Sequence, residues 1–143
     1  MFRKGDYIVC LRPINTSSVY IRRGWVYKQH EDDDCLIATK DSDNLSVTQT
    51  LDTKFSKKST WRYAAPEEIE MYDLYDEPYP ILNPGYKIQI TTKNRGIKYD
   101  TVKEVFPEKR IFSTEGGLKI DYNSIREVLS IKEITNYHSY DIY

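Results

Sequence analysis

Gly85-Tyr86-Lys87-Ile88-Gln89-Ile90-Thr91 decides the fold class. Apolar and polar residues alternate strictly along it, which places Ile88 and Ile90 on one face of a strand and Lys87, Gln89 and Thr91 on the other. The same layout occurs near the start of the chain, where Gly5-x-x-Ile8-x-Cys10 matches Gly85-x-x-Ile88-x-Ile90. Each strand opens a run of short β-type segments separated by turns. In the first run these are Asp6–Leu11, Trp25–Gln29, Cys35–Thr39, Leu45–Leu51 and Trp61–Ala64. In the second they are Tyr86–Thr91, Ile97–Val102, Arg110–Ser113 and Leu118–Asp121, with Glu115-Gly116-Gly117 as a strong hairpin signal. Ser124–Leu129 reads either as a helical turn or as a final strand.

Between the runs the pattern changes. Ala65-Pro66-Glu67-Glu68-Ile69-Glu70-Met71-Tyr72 predicts one short helix, with proline at a first-turn position and acidic residues at the positive helix end. Residues 73–84 contain Pro78, Pro80 and Pro84 and predict a linker or an extended strap. The sequence therefore predicts a mainly β protein of two small SH3-like, half-open β-barrels in tandem with one short helix between them. The expected units are a barrel and helix at 1–72, a linker at 73–84, a second β-module at 85–131 and a tail at 132–143. Generic β-segments inside one larger sandwich are the competing architecture.

Composition narrows the function. The 143 residues carry 21 Lys and Arg against 22 Asp and Glu, with 39% hydrophobic and 30% charged residues. Aromatic content of 13% sets the chain apart from disordered sequences, which are poor in aromatics and high in net charge. No apolar run reaches the roughly 18 residues of a spanning helix. The basic start Met1-Phe2-Arg3-Lys4 leads directly into a strand without the apolar core of a signal peptide. A cytosolic protein is expected, and Cys10 and Cys35 read as reduced, buried thiols. Charge splits weakly: residues 1–80 hold 11 basic and 14 acidic side chains, and residues 81–143 hold 10 and 8. A nonspecific nucleic-acid binder usually carries a far more basic face.

Signatures of chemistry are weak. An EF-hand loop starting at Asp41 would place Leu45 at a ligand position, Ser46 where glycine is needed, and Asp52 where a bidentate Glu belongs. His30 beside the acidic run Glu31–Asp34, and His138 in the tail, lack the companions of a metal site or a catalytic triad. Neither GxGxxG nor GxxxxGK[ST] occurs. The sequence predicts no catalytic residue, no metal and no cofactor.

Aromatic and cationic residues remain. Tyr20, Arg22, Arg23, Trp25 and Tyr27 fall together in one hairpin, and Trp61, Arg62 and Tyr63 in one strand. These rings either fill small barrel cores, or form the Tyr–Trp–Arg surface typical of protein interfaces, or stack nucleic-acid bases. Tyr72, Tyr75 and Tyr79 alternate with acids around the strap and have no evident core role. A partner-binding set of Tyr20, Arg22, Arg23, Trp25, Trp61, Arg62, Tyr72, Tyr75 and Tyr79 is therefore expected. The alternative is a nucleic-acid surface on the second half, drawn from Lys93, Arg95, Lys98, Lys103, Lys109, Arg110 and Lys119.

Lys4-Gly5-Asp6-Tyr7-Ile8-Val9, Gly24-Trp25-Val26-Tyr27-Lys28-Gln29 and Trp61-Arg62-Tyr63-Ala64-Ala65-Pro66-Glu67-Glu68-Ile69 together resemble small accessory proteins of tailed bacteriophages. The resemblance covers about residues 3–72, and the second β-module is an addition to that pattern. It implies a viral origin and no particular activity; with no catalytic signature present, the expectation is a non-enzymatic protein that binds a host protein of bacterial immunity or host metabolism in the host cytoplasm, inhibition of a defence system being one form of such binding. A nucleic-acid-binding module and a minor virion component are the rivals.

Overall fold

The computed structural model describes residues 5–15, 20–29, 36–40, 46–50, 61–92 and 96–131. The first half contributes β1 (Tyr7–Cys10), β2 (Ile14–Asn15), β3 (Tyr20–Ile21), β4 (Trp25–Gln29), β5 (Leu36–Lys40), β6 (Ser46–Thr50) and β7 (Trp61–Tyr63). Helix α1 (Pro66–Tyr75) and β8 (Tyr79–Pro80) follow. The second half contributes β9 (Lys87–Thr92), β10 (Gly96–Phe106), β11 (Ile111–Thr114), β12 (Lys119–Asp121) and β13 (Ile125–Val128), with a 3₁₀ turn at Tyr122–Ser124 before the last strand. The protein is mainly β, with two larger antiparallel sheets and one α-helix among the described residues.

The two large sheets share a strand order. The first runs β6-β5-β4-β1-β7, with β8 joined to β4, and the second runs β12-β11-β10-β9-β13. In both, the first four strands of the sheet pair in chain order, with β2 and β3 inserted between β1 and β4 in the first, and the last strand returns to pair with the first. Ser124–Leu129 thus resolves into the end of a 3₁₀ turn followed by a strand. A short hairpin, β2–β3, stands apart.

Helix α1 begins where the sequence places it and runs further. Pro66 takes the first helical position, and the Glu68 carboxylate accepts the Ala65 backbone N–H at 2.7 Å. That is the return bond of a capping box. The helix continues to Tyr75 and stops at Asp76, whose left-handed backbone (φ 57°) lets its N–H reach the Tyr72 carbonyl. The boundary expected after Tyr72 falls inside this helix. The expected linker contains its last turn and a strand: Tyr79 and Pro80 pair with Val26 and Trp25. Pro80 lacks a donor but sits at the end of a two-residue strand, where proline is tolerated.

One hydrophobic cluster spans both halves, from Ile8, Val9, Val26 and Trp61 to Ile88, Ile90, Phe112, Ile125 and Val128. Gly24 is the junction. Its N–H donates to the Cys10 carbonyl, its carbonyl accepts the Ile81 N–H, and a Cβ built on it would lie 2.5 Å from the Val128 Cβ. Its φ of +81° also favours glycine. Beside it the Val128 N–H donates to the Arg23 carbonyl at 2.9 Å. The charged loop around Lys54–Lys58, the acidic run Glu31–Asp34, Cys35 and the tail at 132–143 lie outside the described residues.

Candidate functional site: an exposed ribbon on the second sheet

The expected contact residues separate by burial. Trp25 and Trp61 are core, and Tyr27 meets Trp61 edge to face at 6.2 Å between ring centres. Strand alternation would leave one face of β4 open, yet Trp25, Val26 and Tyr27 are all buried: β1, β5 and β8 flank the strand, and these side chains belong to the cluster shared by both halves. Arg62 is 5% exposed and makes a two-pronged ion pair with Glu68 at 2.9 and 3.0 Å. Arg22 donates to the carbonyls of Ile125 and Asn123 and stacks over Trp25, while Arg23 pairs with Glu127. Both arginines join the two halves. The Tyr20 backbone lies in β3, in register with Asn15.

The strap tyrosines are also structural. Tyr72, Tyr75 and Tyr79 are each 6% exposed. Tyr72 packs edge-on against Tyr7, and Tyr75 against both Tyr79 and Tyr122. Their hydroxyls find carbonyls: Tyr75 donates to Pro107 and Tyr79 to Glu68, both at 2.7 Å. Burial pushes the Tyr72, Tyr75, Tyr79 and Tyr122 hydroxyls above the ordinary tyrosine range. Tyr7 is pushed up to about 12, first by its hydrogen bond to the Asp73 carboxylate and then by burial. Trp25, Trp61, Arg62, Tyr72, Tyr75 and Tyr79 therefore leave the set of side chains that can meet a partner. Nothing in the residue pattern marks the strap as packed, because its acids alternate with rings that turn inward.

The described members of the nucleic-acid set do not form one surface either. Lys93 and Arg95 lie outside the described residues. Lys98 is exposed near the start of β10, and Lys103 midway along it. Lys109 is exposed in the turn beyond its other end, roughly 25 Å from Lys98 at the rise of a strand. Arg110 is committed: it pairs with Glu77 and stacks over Tyr75, with its centre 4.5 Å from the ring. Lys119 lies over the Phe106 ring.

Where the exposed apolar side chains stand was missed by the sequence reading. Among the described residues the large exposed hydrophobics are Leu74 at 69%, Ile97 at 47% and Tyr99 at 65%. Ile97 and Tyr99 belong to the first part of β10, which pairs with β9 but lies ahead of the stretch paired with β11. β13 covers β9 only over Ile88–Ile90. Among the described residues, Thr91–Thr92 paired with Gly96–Ile97 thus form a two-stranded ribbon past the end of β13, and Gly96–Tyr99 has no strand on its other edge. In register, Ile97 faces Thr91 and Tyr99 faces Gln89. This is the face opposite the buried Ile88, Ile90 and Val102.

A polar chain props the ribbon. Arg126 donates to the Gln89 carbonyl oxygen at 3.3 Å, and the Gln89 amide donates to the Tyr99 hydroxyl at 3.0 Å. Lys87 donates to the Thr101 hydroxyl on the same face. At the base, the Asp100 carboxylate accepts the Thr101 and Gly116 N–H groups. Burial raises its proton affinity, but these amides and the Thr114 hydroxyl outweigh that and hold it below the usual carboxylate range. An isolated two-stranded ribbon is barely stable in water, so these bonds hold an apolar pair out to solvent that folding alone does not need.

No metal-binding group of three His, Cys, Asp or Glu side chains occurs among the described residues. No described helix is long and apolar enough to cross a membrane. No protein-family model, curated protein or solved structure matches the chain.

Proposed function

We propose that this is a non-enzymatic binding protein whose contact surface is the outward face of the β9–β10 ribbon, centred on Ile97 and Tyr99. The observation that carries the proposal is the exposure of these two side chains on a ribbon braced by Arg126 and Gln89. Exposed tyrosine beside an aliphatic residue, rimmed by polar groups, has the make-up of a protein interface anchor. The resemblance of residues 3–72 to phage accessory proteins favours a host protein as partner, met in the host cytoplasm. Inhibition of a defence protein is one outcome of such binding.

In this proposal the two halves are small SH3-like half-open barrels. Their shared strand order, and the 3₁₀ turn before the last strand of the second, support it. Tagged expression in the bacterial host, with capture compared between the native chain and Tyr99→Ser, tests the function. The same specific partner should be lost from the variant, while the far-UV spectrum and Tm stay unchanged. A partner retained in full by Tyr99→Ser refutes the ribbon as the contact surface.

A further inference from the structure

The two halves repeat one another down to single backbone hydrogen bonds. The Gly5 N–H donates to the Gln29 carbonyl, and the Gly85 N–H to that of Val102. Gln29 donates in turn to Asp6, and Val102 to Tyr86. Just past β7 the Ala64 N–H donates to the Tyr7 carbonyl, and just past β13 the Leu129 N–H to that of Lys87. Residue 87 is thus the counterpart of 7, residue 102 of 29, and residue 129 of 64. The last pair sets an offset of 65 (129 − 64) for the chain that follows.

At that offset the sequence of α1 recurs. Glu68, Ile69, Tyr72, Tyr75 and Asp76 reappear as Glu133, Ile134, Tyr137, Tyr140 and Asp141. Hydrogen bonds outside both segments fix the offset, so the match is independent of it. What is kept and what changes follows burial. Tyr72 and Tyr75 are buried, Ile69 packs on the core, Glu68 pairs with Arg62, and Asp76 ends the helix. The exposed Glu67, Glu70, Asp73 and Leu74 give way to Lys132, Thr135, His138 and Ser139. Half-buried Met71 is the exception, with Asn136 in its place.

The second sheet has the matching face open. In the first, Tyr72 meets Tyr7 edge to face at 5.4 Å, and Val9 and Val26, in register on that face, are fully buried. Their counterparts are Lys87, Gln89 and Tyr99, and Tyr99 is 65% exposed. Arg62 stands opposite Val9; the β13 bulge sets Glu127 opposite Gln89 and Arg126 within hydrogen-bond reach of it. An arginine is thus placed to receive Glu133 as Arg62 receives Glu68.

We infer that residues 133–141 are a second copy of the α1 segment and dock on the outward face of the same molecule's second sheet, Tyr137 against Lys87 and Glu133 against Arg126. The ring pair of Tyr72 and Tyr7 becomes a ring over the Lys87 stem, whose ammonium stays on Thr101. Docked there, the segment borders Tyr99 and competes with an outside partner for the ribbon. That consequence, unlike the docking, rests on the proposal that the ribbon is a contact surface.

Amide hydrogen exchange of the full chain, followed by NMR, tests the docking. The amides of Ile134, Tyr137 and Tyr140 should exchange at least about tenfold more slowly than in an unstructured peptide. Tyr137→Ser should return them to unstructured rates while the amides of β9 and β10 stay protected. Glu133→Lys should cut the protection about threefold, and adding Arg126→Glu should restore it. Thr135→Ala, at the place of the exposed Glu70, should change nothing. Unstructured rates throughout 133–141 overturn the inference, as does protection that survives Tyr137→Ser in full. Protection that fades on dilution overturns docking within one molecule and seats the segment on a second copy. Capture of the cellular partner separates the two proposals. Stronger capture by Tyr137→Ser, abolished by adding Tyr99→Ser, supports the competition. Unchanged capture by Tyr137→Ser despite lost protection refutes the competition and leaves the docking. Unstructured rates together with capture lost in Tyr99→Ser remove the docking and leave the ribbon as the contact surface.

Discussion

β4 and β10 hold the same place in two sheets of the same strand order, yet they have opposite fates. β4 has five residues, and Trp25, Val26, Tyr27 and Gln29 are buried. β10 has eleven, and its first four are exposed. What differs is what lies beside them. β4 pairs with β8 over Trp25 and Val26, and the end of β13 packs against Gly24 just ahead of it. β10 gains no third neighbour over Gly96–Tyr99 among the described residues. One topology has thus supplied both a buried central strand and a partly exposed one, according to what packs beside each.

The contrast can be broken most completely with alkali. Tyr72, Tyr75, Tyr79 and Tyr122 are buried in the neutral form, and Tyr7 has an affinity for its proton raised to about 12. For each group the folded chain holds its proton more tightly than the unfolded chain, whose tyrosines ionise near pH 10. Stability is therefore unchanged below pH 10 and falls as pH rises from there toward 12. Absorbance at 295 nm should show a group of tyrosines that ionises only as circular dichroism reports unfolding. Titration of every tyrosine ahead of unfolding would contradict the buried cluster.

Trp61→Ala should come next, costing about 4 kcal/mol by denaturant unfolding, since Trp61 is 1% exposed. Gly24→Ala should cost about 3 kcal/mol, combining a strained backbone with a collision against Val128. If Gly24→Ala were neutral, the two halves would not meet there. Arg22→Ala removes two carbonyl contacts and a stack on Trp25, for about 2 kcal/mol. At the small end, Ile97→Ser should change stability by no more than about 0.5 kcal/mol. A loss above about 1.5 kcal/mol at Ile97 would mean that the ribbon is structural after all, and the contrast with β4 would disappear.

Much of this was legible in the sequence. Alternation over Tyr86–Thr91 identified the strand found at Lys87–Thr92, with one buried face, and Pro66 with Glu67 and Glu68 marked the start of α1. Paired glycines at 116 and 117 marked the β11–β12 turn. Burial set by distant partners was not legible. Tyr72, Tyr75 and Tyr79 sit among acids and prolines that read as solvated, and residues distant in sequence bury them: Tyr7 beside Tyr72, Tyr122 and Pro107 beside Tyr75, and Val26 paired with Tyr79. Arg62 resembles a surface cation until Glu68 meets it from the following helix. Tyr99 was the converse case. It lies in a segment that reads only as a strand, and local pattern says which face a residue takes and nothing about how far the neighbouring strands extend.

The bond from Val128 to Arg23 joins residues more than a hundred positions apart. During synthesis the first sheet leaves the ribosome well before its cover exists. Until Val128 and Ile131 emerge, the Gly24 corner faces water. Closing so long a loop is entropically costly and slow, and contacts of this kind delay folding. The half-made chain is therefore the form most exposed to misassembly and proteolysis. Completion of β13 is the event that converts two partial sheets into a protected whole.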